Sequence, residues 1–237
     1  MKKISLLCLL LGASVCAGAV EPAKLYKKGD FEGALAEYRK MSEQNPYVLY
    51  NTANCYYKLG KRGLATLYYL KAFKILPRNS DIRQNLSFVL MQTGQSLVPK
   101  DMPQIVHIVY FFFSIYEIKA ISYLLFWTLA AMLSLIFLKK SFKKPFLKPL
   151  IYLFFLLLIF VAWGISRSAS FIENAGVVTE NSASLLSGPG DNFKVYSELP
   201  EGYLVELTGE EADDFLEAGI PQKQIKGWIK KSEIRKI

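Results

Sequence analysis

Catalysis needs a base, a nucleophile, a metal-ligand cluster or a charged cradle, and this chain is sparing with all four. A Ser–His or Cys–His pair would depend on its single histidine, His107, which lies in an uncharged run, residues 104–116. Of the three cysteines, Cys8 and Cys16 sit near the N-terminus and Cys55 stands alone. No P-loop spacing and no Cys/His zinc cluster occurs. The densest acidic group is Glu210, Glu211, Asp213, Asp214 and Glu217. It has charge for a cation but not the spacing of a calcium loop, and a solvated loop or insert over 209–224 accounts for it better. The reading is of no catalytic residue, no metal and no cofactor. One charged cluster does carry a physical message: Lys139, Lys140, Lys143, Lys144 and Lys148, with no acid between 139 and 148. Short basic loops between apolar runs stay in the cytoplasm.

The elements that position that cluster are two runs of 18 uncharged residues, 121–138 and 149–166. At 1.5 Å per residue each just crosses a hydrocarbon core of ~30 Å. They account for the apolar fraction of 52 % in a chain of 237 residues, above the usual soluble range. The net charge of +9 goes with lysines flanking apolar runs, which favours lipid and topology over nucleic acid as its cause. Residues 1–19 have Lys2 and Lys3, a short apolar stretch and Ala17-Gly18-Ala19, the pattern of a secretory signal. Cleavage after Ala19, an uncleaved anchor and lipidation at Cys16 are the three outcomes that pattern allows. An exported N-terminus and a cytoplasmic basic loop agree: both ends of the hairpin face out. Neither run holds a charged residue, which argues against a proton relay or ion path. The third apolar run, 104–116, has 13 residues, which favours an interfacial helix or one packed beneath the preceding unit; a third span is the alternative, and it would break the agreement of the two ends.

Residues 23–79 repeat themselves. Gly29 and Gly60, Ala34 and Ala65, Tyr38 and Tyr69, and Pro46 and Pro77 are each 31 apart. Helix–turn–helix physics fits: the glycines end helices, the alanines let two helices approach, and the prolines stop the second helix of each pair. Ser80 is placed to cap a further helix over 81–93, with Ile82, Leu86, Val89 and Leu90 on one face. Residues 94–103 read as a linker.

The pattern resembles the tetratricopeptide repeat, whose period is about 34. That resemblance implies a concave face that binds an extended peptide or partner helix, with Tyr50, Asn54, Tyr57 and Lys58 on it. It would let Asn54 hold a peptide backbone through its amide and Lys58 meet an acidic group.

After Arg167 the composition changes to short alternating runs and turn signals. Leu186-Ser187-Gly188-Pro189-Gly190, Leu199-Pro200-Glu201-Gly202 and Gly227-Trp228-Ile229 resemble the bacterial SH3-like domain, with Gly188, Pro189, Gly227 and Trp228 as its marks. Polyproline or cell-wall peptides are the ligands that resemblance implies.

The fold expected is therefore mixed: an all-α tetratricopeptide-repeat unit, a two-helix transmembrane hairpin and a small all-β SH3-like barrel. The divisions are a signal over 1–19, the repeat unit over 20–95, a linker and interfacial helix over 96–119, spans over 120–138 and 149–167 about the loop 139–148, and the barrel over 172–237. This order of parts resembles BatE-type proteins of bacterial aerotolerance operons. That resemblance implies a scaffold in the cytoplasmic membrane with protein partners, among them membrane proteins bearing von Willebrand A domains, and a part in tolerance of oxidative or envelope stress. An adaptor that binds proteins outside the cytoplasm is the leading expectation. A peptidoglycan sensor or anchor acting through the SH3-like domain is the alternative.

Overall fold

A computed structural model describes residues 21–99 and 102–237; the expected signal over 1–19 lies outside the described residues. The fold is mixed, with eight α-helices among the described residues and one seven-stranded antiparallel sheet.

The N-terminal helices are α1 (Pro22–Lys27), α2 (Phe31–Tyr38), α3 (Pro46–Lys58), α4 (Arg62–Ile75) and α5 (Ser80–Gln92). Gly29 and Gly60 lie between helices at φ +84° and +77°, the left-handed region where only glycine is unstrained. Ala34 and Ala65 are fully buried, and Tyr38 and Tyr69 nearly so. Pro77 follows the end of α4 as expected, but Pro46 does not stop a helix. It opens α3 at a first-turn position, where its missing N–H loses nothing. Asn45 caps that helix by accepting from the Tyr47 N–H at 2.9 Å. Likewise the cap of α5 is Asn79, accepting from the Ile82 N–H at 3.0 Å, and Ser80 is its first helical residue. The two caps are 34 residues apart, so the short period of 31 is local. It arises because α2 has 8 residues where α4 has 14, and the longer connection after α2, 39–44 against 76–78, restores only half of that difference.

The uncharged run 104–116 divides. α6 (Gln104–Tyr110) ends at a turn, and Ser114 begins α7 (Ile115–Leu138) with a reciprocal cap to Glu117. A 3-10 turn, Lys140–Phe142, leads to α8 (Lys143–Ser168). The helix thus starts within the expected loop 139–148, which shrinks to four connecting residues. Pro145 is tolerated because first-turn N–H groups have no helical partner. α7 and α8 pack on each other and are long and apolar enough to cross a membrane. Almost none of their residues is buried, unlike the core helix of a soluble domain.

The strands are β1 (Ala175–Val178), β2 (Ser182–Leu186), β3 (Val195–Pro200), β4 (Leu204–Ala212), β5 (Phe215–Ile220), β6 (Ile225–Lys230) and β7 (Ile234–Lys236), in spatial order β3-β2-β6-β5-β4-β1-β7. The acidic segment 209–224 is not a loop. Glu210 and Glu211 end β4, Asp213 makes the turn at φ +46°, and Glu217 lies in β5. The hairpin forms because Phe215, Leu216, Ala218 and Ile220 are buried, while Glu211 meets Lys231 at 3.0 Å and Lys236 at 2.5 Å. Glu211 is thus a counter-charge for two lysines, and Glu217 accepts from the Thr208 hydroxyl.

Both faces of β1 are covered. Val178 points into the sheet's own core with Leu185, Val205 and Ile229. Ala175 and Val177, with Leu204 and Ile172, join a second core shared with Leu49, Leu70, Phe73 and Leu90 of the helices. The helical layer and the sheet are therefore one body on a shared core rather than two beads on a string. The docking is close: a Cβ on Gly63 of α4 would sit 2.5 Å from the Val178 carbonyl oxygen. The expected linker takes part, since Gln95 and Leu97 are buried.

Candidate functional site

Of the four expected peptide-binding residues, Tyr50 and Asn54 are half-buried and hydrogen-bonded to other helices of the stack. The Asn85 amide donates to the Tyr50 hydroxyl at 3.0 Å and to the Asn54 carbonyl oxygen at 3.2 Å. The Tyr69 hydroxyl also donates to Asn54. Burial raises the Tyr69 pKa, so that hydroxyl stays protonated as a donor. The network ties α3, α4 and α5 together. Tyr57 and Lys58 lie nearer the surface. Tyr57 accepts from Gln92 at 3.1 Å and packs edge-on against Phe88 at 5.9 Å. Lys58 is exposed.

The cap-to-cap register of 34 carries this face one helix further. Tyr50 maps to Gln84, Asn54 to Phe88, Tyr57 to Met91 and Lys58 to Gln92. Phe88 is 52 % exposed and Met91 68 %, so large apolar groups stand in water where the related positions of α3 carry polar groups. They open onto a groove of about 640 Å³ between α5, Leu97–Val98 and α6, also lined by Arg78, Arg83, Gln84 and Phe112. Arg78 fixes one rim through a two-pronged pair with Glu117 of α7, at 2.6 and 3.1 Å. These residues were missed because α5 reads as a mere cover when the repeat is set at 31. The Asn45 to Asn79 spacing was the signal that would have found them.

In the sheet, Gly188 and Gly227 are packing glycines. A Cβ at Gly188 would meet the Phe193 ring at 2.5 Å, and one at Gly227 the Leu186 carbonyl at 2.4 Å. Pro189 is exposed and Trp228 half-buried. Trp228 pairs in register with Leu186, whose other neighbour is Val195. Exposed Val195 and Tyr196 lie on β3, an edge strand of the sheet, with exposed Phe193 just before it.

Cys55 is fully buried, and burial pushes its thiol up to about 11, which leaves almost no thiolate at neutral pH. Among the described residues no group of three His, Cys, Asp or Glu side chains could hold a metal. The five lysines of the basic cluster lie from the end of α7 into the first two turns of α8.

The most heavily charged buried spot joins the body to the hairpin. Arg167, in the last turn of α8, is 1 % exposed. Its Nη2 pairs with Glu173 at 3.2 Å, and the other carboxylate oxygen of Glu173 takes Lys74 of α4, also at 3.2 Å. The guanidinium lies 4.0 Å from the Phe111 ring centroid, which partly replaces lost hydration.

His107 stacks on the same ring at 4.5 Å and is 1 % exposed. Burial above all, then the positive charge of Arg83 and Arg167, lowers its pKa to about 4. In the unfolded chain imidazole binds its proton near pH 6.5. The unfolded state therefore takes up the proton first, and stability that is complete above pH 6.5 is lost as pH falls from there towards 4. The full loss is up to about 3 kcal/mol. Unfolding midpoints taken from pH 7.5 to 4.5 are expected to fall more steeply for the natural protein than for His107→Phe. Parallel curves would assign the acid response to carboxylates alone.

Searches against protein-family models and against curated proteins return no match to this chain.

Proposed function

We propose that this protein is a non-catalytic membrane adaptor that binds protein partners outside the cytoplasm through the helical face running from Tyr57 to Met91. The observation that carries the reading is the exposure of Phe88 and Met91 beside an open groove, at the positions in register with Asn54 and Tyr57. Exposed aromatic and methionine side chains around a groove are the composition of a contact surface. The 34-residue register and the glycine–alanine landmarks support a tetratricopeptide-type reading of the helices. The antiparallel strands and the packing glycines Gly188 and Gly227 support an SH3-like reading of the sheet. The basic cluster between α7 and α8 supports a cytoplasmic turn, which leaves the extramembrane body on the outer face of a bacterial cytoplasmic membrane. The order of parts supports membership of a BatE-type scaffold, with von Willebrand A domain proteins as the first partners to test.

The shared core changes how the two modules act. They form one rigid surface, so a partner seated on the helices and another on the sheet edge would be held at a fixed mutual orientation. Tethering both beside the bilayer raises effective concentration without any new contact.

The test uses the full chain in living cells, with photocrosslinking side chains at Phe88 and Met91. Capture of the extracytoplasmic domain of a membrane protein is expected. Phe88→Ala with Met91→Ala should then weaken that complex by at least tenfold, as about 1–2 kcal/mol per buried anchor implies. Undiminished binding by the double variant, or capture of cytoplasmic domains only, would overturn the reading. The exposed Phe193, Val195 and Tyr196 on and beside edge strand β3 favour a second ligand on the sheet edge, a cell-wall peptide. Co-sedimentation of the intact protein with purified sacculi, abolished by Tyr196→Ala, tests it.

A further inference from the structure

The segment between the extramembrane body and the first span has an unusual surface. Residues 102–116 include no Asp, Glu, Lys or Arg. Yet Ile105 is 67 % exposed, Val109 58 % and Tyr116 66 %, with Val106 and Phe112 also uncovered. Such a patch in water costs about 25 cal/mol for each Å² of apolar surface left unburied. The one histidine of the segment is turned away from this face and buried inside. The exposed side is thus uncharged and, beyond Gln104 at its start, mainly apolar.

Its position is set by α8. The Trp163 indole N–H donates to the Tyr110 carbonyl at 3.2 Å, and the Tyr110 and Ser166 hydroxyls are 2.9 Å apart. The end of α6 is therefore pinned beside the last turns of the second apolar helix. Between the two helices lies a hollow of about 410 Å³ lined by Ile105, Val106, Val109, Tyr110 and Trp163. None of these side chains brings a charge, and the hollow is open on its outer side and lined almost wholly by apolar atoms. The face of α6 runs without a break into the exposed apolar face of α8.

We propose that α6 is a third membrane contact: it lies in the outer leaflet without crossing it, and the hollow against Trp163 holds an acyl chain of a membrane lipid. A lipid fits better than a partner's span because the surface adjoins the exposed apolar side of α8 and carries no charged side chain to recognise a protein. Trp163 and Tyr116 are the amphipathic side chains that settle at such a boundary. With α6 seated in lipid and Arg78 bound to Glu117, the groove carrying Phe88 and Met91 is held at a set height above the bilayer. Partners that are themselves anchored in the same membrane would meet it at that height.

This inference rests on the reading of α7 and α8 as a membrane hairpin, and the test separates the two. The full chain, with Cys8, Cys16 and Cys55 replaced by alanine, is placed alone in nanodiscs and carries one bimane-labelled cysteine. The sites are Val106→Cys and Val109→Cys on α6, Phe155→Cys in α8 and Thr208→Cys in the sheet. Lipids brominated at shallow or deep acyl positions serve as quenchers. The α6 probes should be quenched most by shallow bromines, consistent with a depth of about 5–10 Å below the headgroup boundary. The Phe155 probe should be quenched most by deep bromines and the Thr208 probe by neither. Deep quenching at 155 with none at 106 and 109 would overturn the lipid seat while leaving the hairpin. No quenching at 155 would overturn the hairpin as well. Disulfide pairing of two Val109→Cys chains, with protection from bromines, would assign the face to a second copy and overturn the proposal.

Discussion

Replacing Glu173 by alanine is expected to destabilise the extramembrane body by about 3–5 kcal/mol, the cost of leaving a buried ion without its partner. The carboxylate serves two cations at once, Arg167 on α8 and Lys74 on α4. Lys74 is 17 % exposed in its side chain and can turn towards water, whereas Arg167 at 1 % cannot. The penalty therefore falls on Arg167. A comparison decides whether burial is the cause. The Lys71–Glu43 pair has the same 3.2 Å separation, but its carboxylate is 61 % exposed. Glu43→Ala should cost no more than about 0.5 kcal/mol. Urea unfolding followed through Trp228 fluorescence measures both. Equal effects would show that Arg167 is relieved by water or by the rings of Tyr110 and Phe111. A second readout follows from position. Arg167 and Glu173 flank the turn leaving α8, so losing the pair should let the body swing relative to the hairpin. Greater proteolytic nicking between 168 and 174 is the expected sign.

Gln95→Ala is expected to cost about 2–4 kcal/mol, because two backbone groups lose their partners together. The Gln95 side chain donates to the Leu204 carbonyl at 2.9 Å and accepts from the Leu204 N–H at 2.7 Å. Leu204 sits where β4 pairs with β1 on one side but has not yet met β5 on the other. The amide of Gln95 thus does the job of a neighbouring strand for one residue, and both it and Leu204 are buried. Gln95→Glu separates this hydrogen-bonding role from simple filling of space. A carboxylate can accept from the N–H but repels the carbonyl; only the protonated acid restores both bonds. Its pKa should be raised in the folded state, so this variant should gain stability relative to Gln95→Ala as pH falls. Identical pH profiles for the two variants would disprove the pairing.

Much of the local structure was legible from residue order. Gly29, Gly60, Ala34 and Ala65 announce helix ends and a tight helix pair, because φ above zero and close approach each admit few residue types. The two uncharged runs announce helices of bilayer length, and the lysines between them mark their turn. Even the misread details were local. Asn45-Pro46 and Ser114 with Glu117 are cap signatures in plain sight, and reading them would have placed α3 and α7 correctly. The acidic stretch hid a hairpin because its charges dominate its alternation, although Phe215, Leu216 and Ile220 supply a buried face.

The site itself was less legible. Asn54 and Tyr50 have the chemistry of ligand contacts, and only the structure shows that Asn85 hydrogen-bonds to both and Tyr69 to Asn54. Phe88 and Met91 look like core residues until α5 is seen to be the last helix of its stack.

What residue order determined, then, was most of the elements: the helical repeat landmarks, two apolar helices of bilayer length, several strands and most turns, since caps, periodicity and apolar length act within a few residues. What only the tertiary structure decided was their union. Gln95 meets Leu204 across 109 residues, Gly63 meets Glu201 across 138, and Lys74 meets Glu173 across 99. No local propensity encodes such pairs. They exist because Ala175 and Val177 on β1 and the inner faces of α3 and α4 are each too apolar to leave in water, and burying them against each other satisfies both.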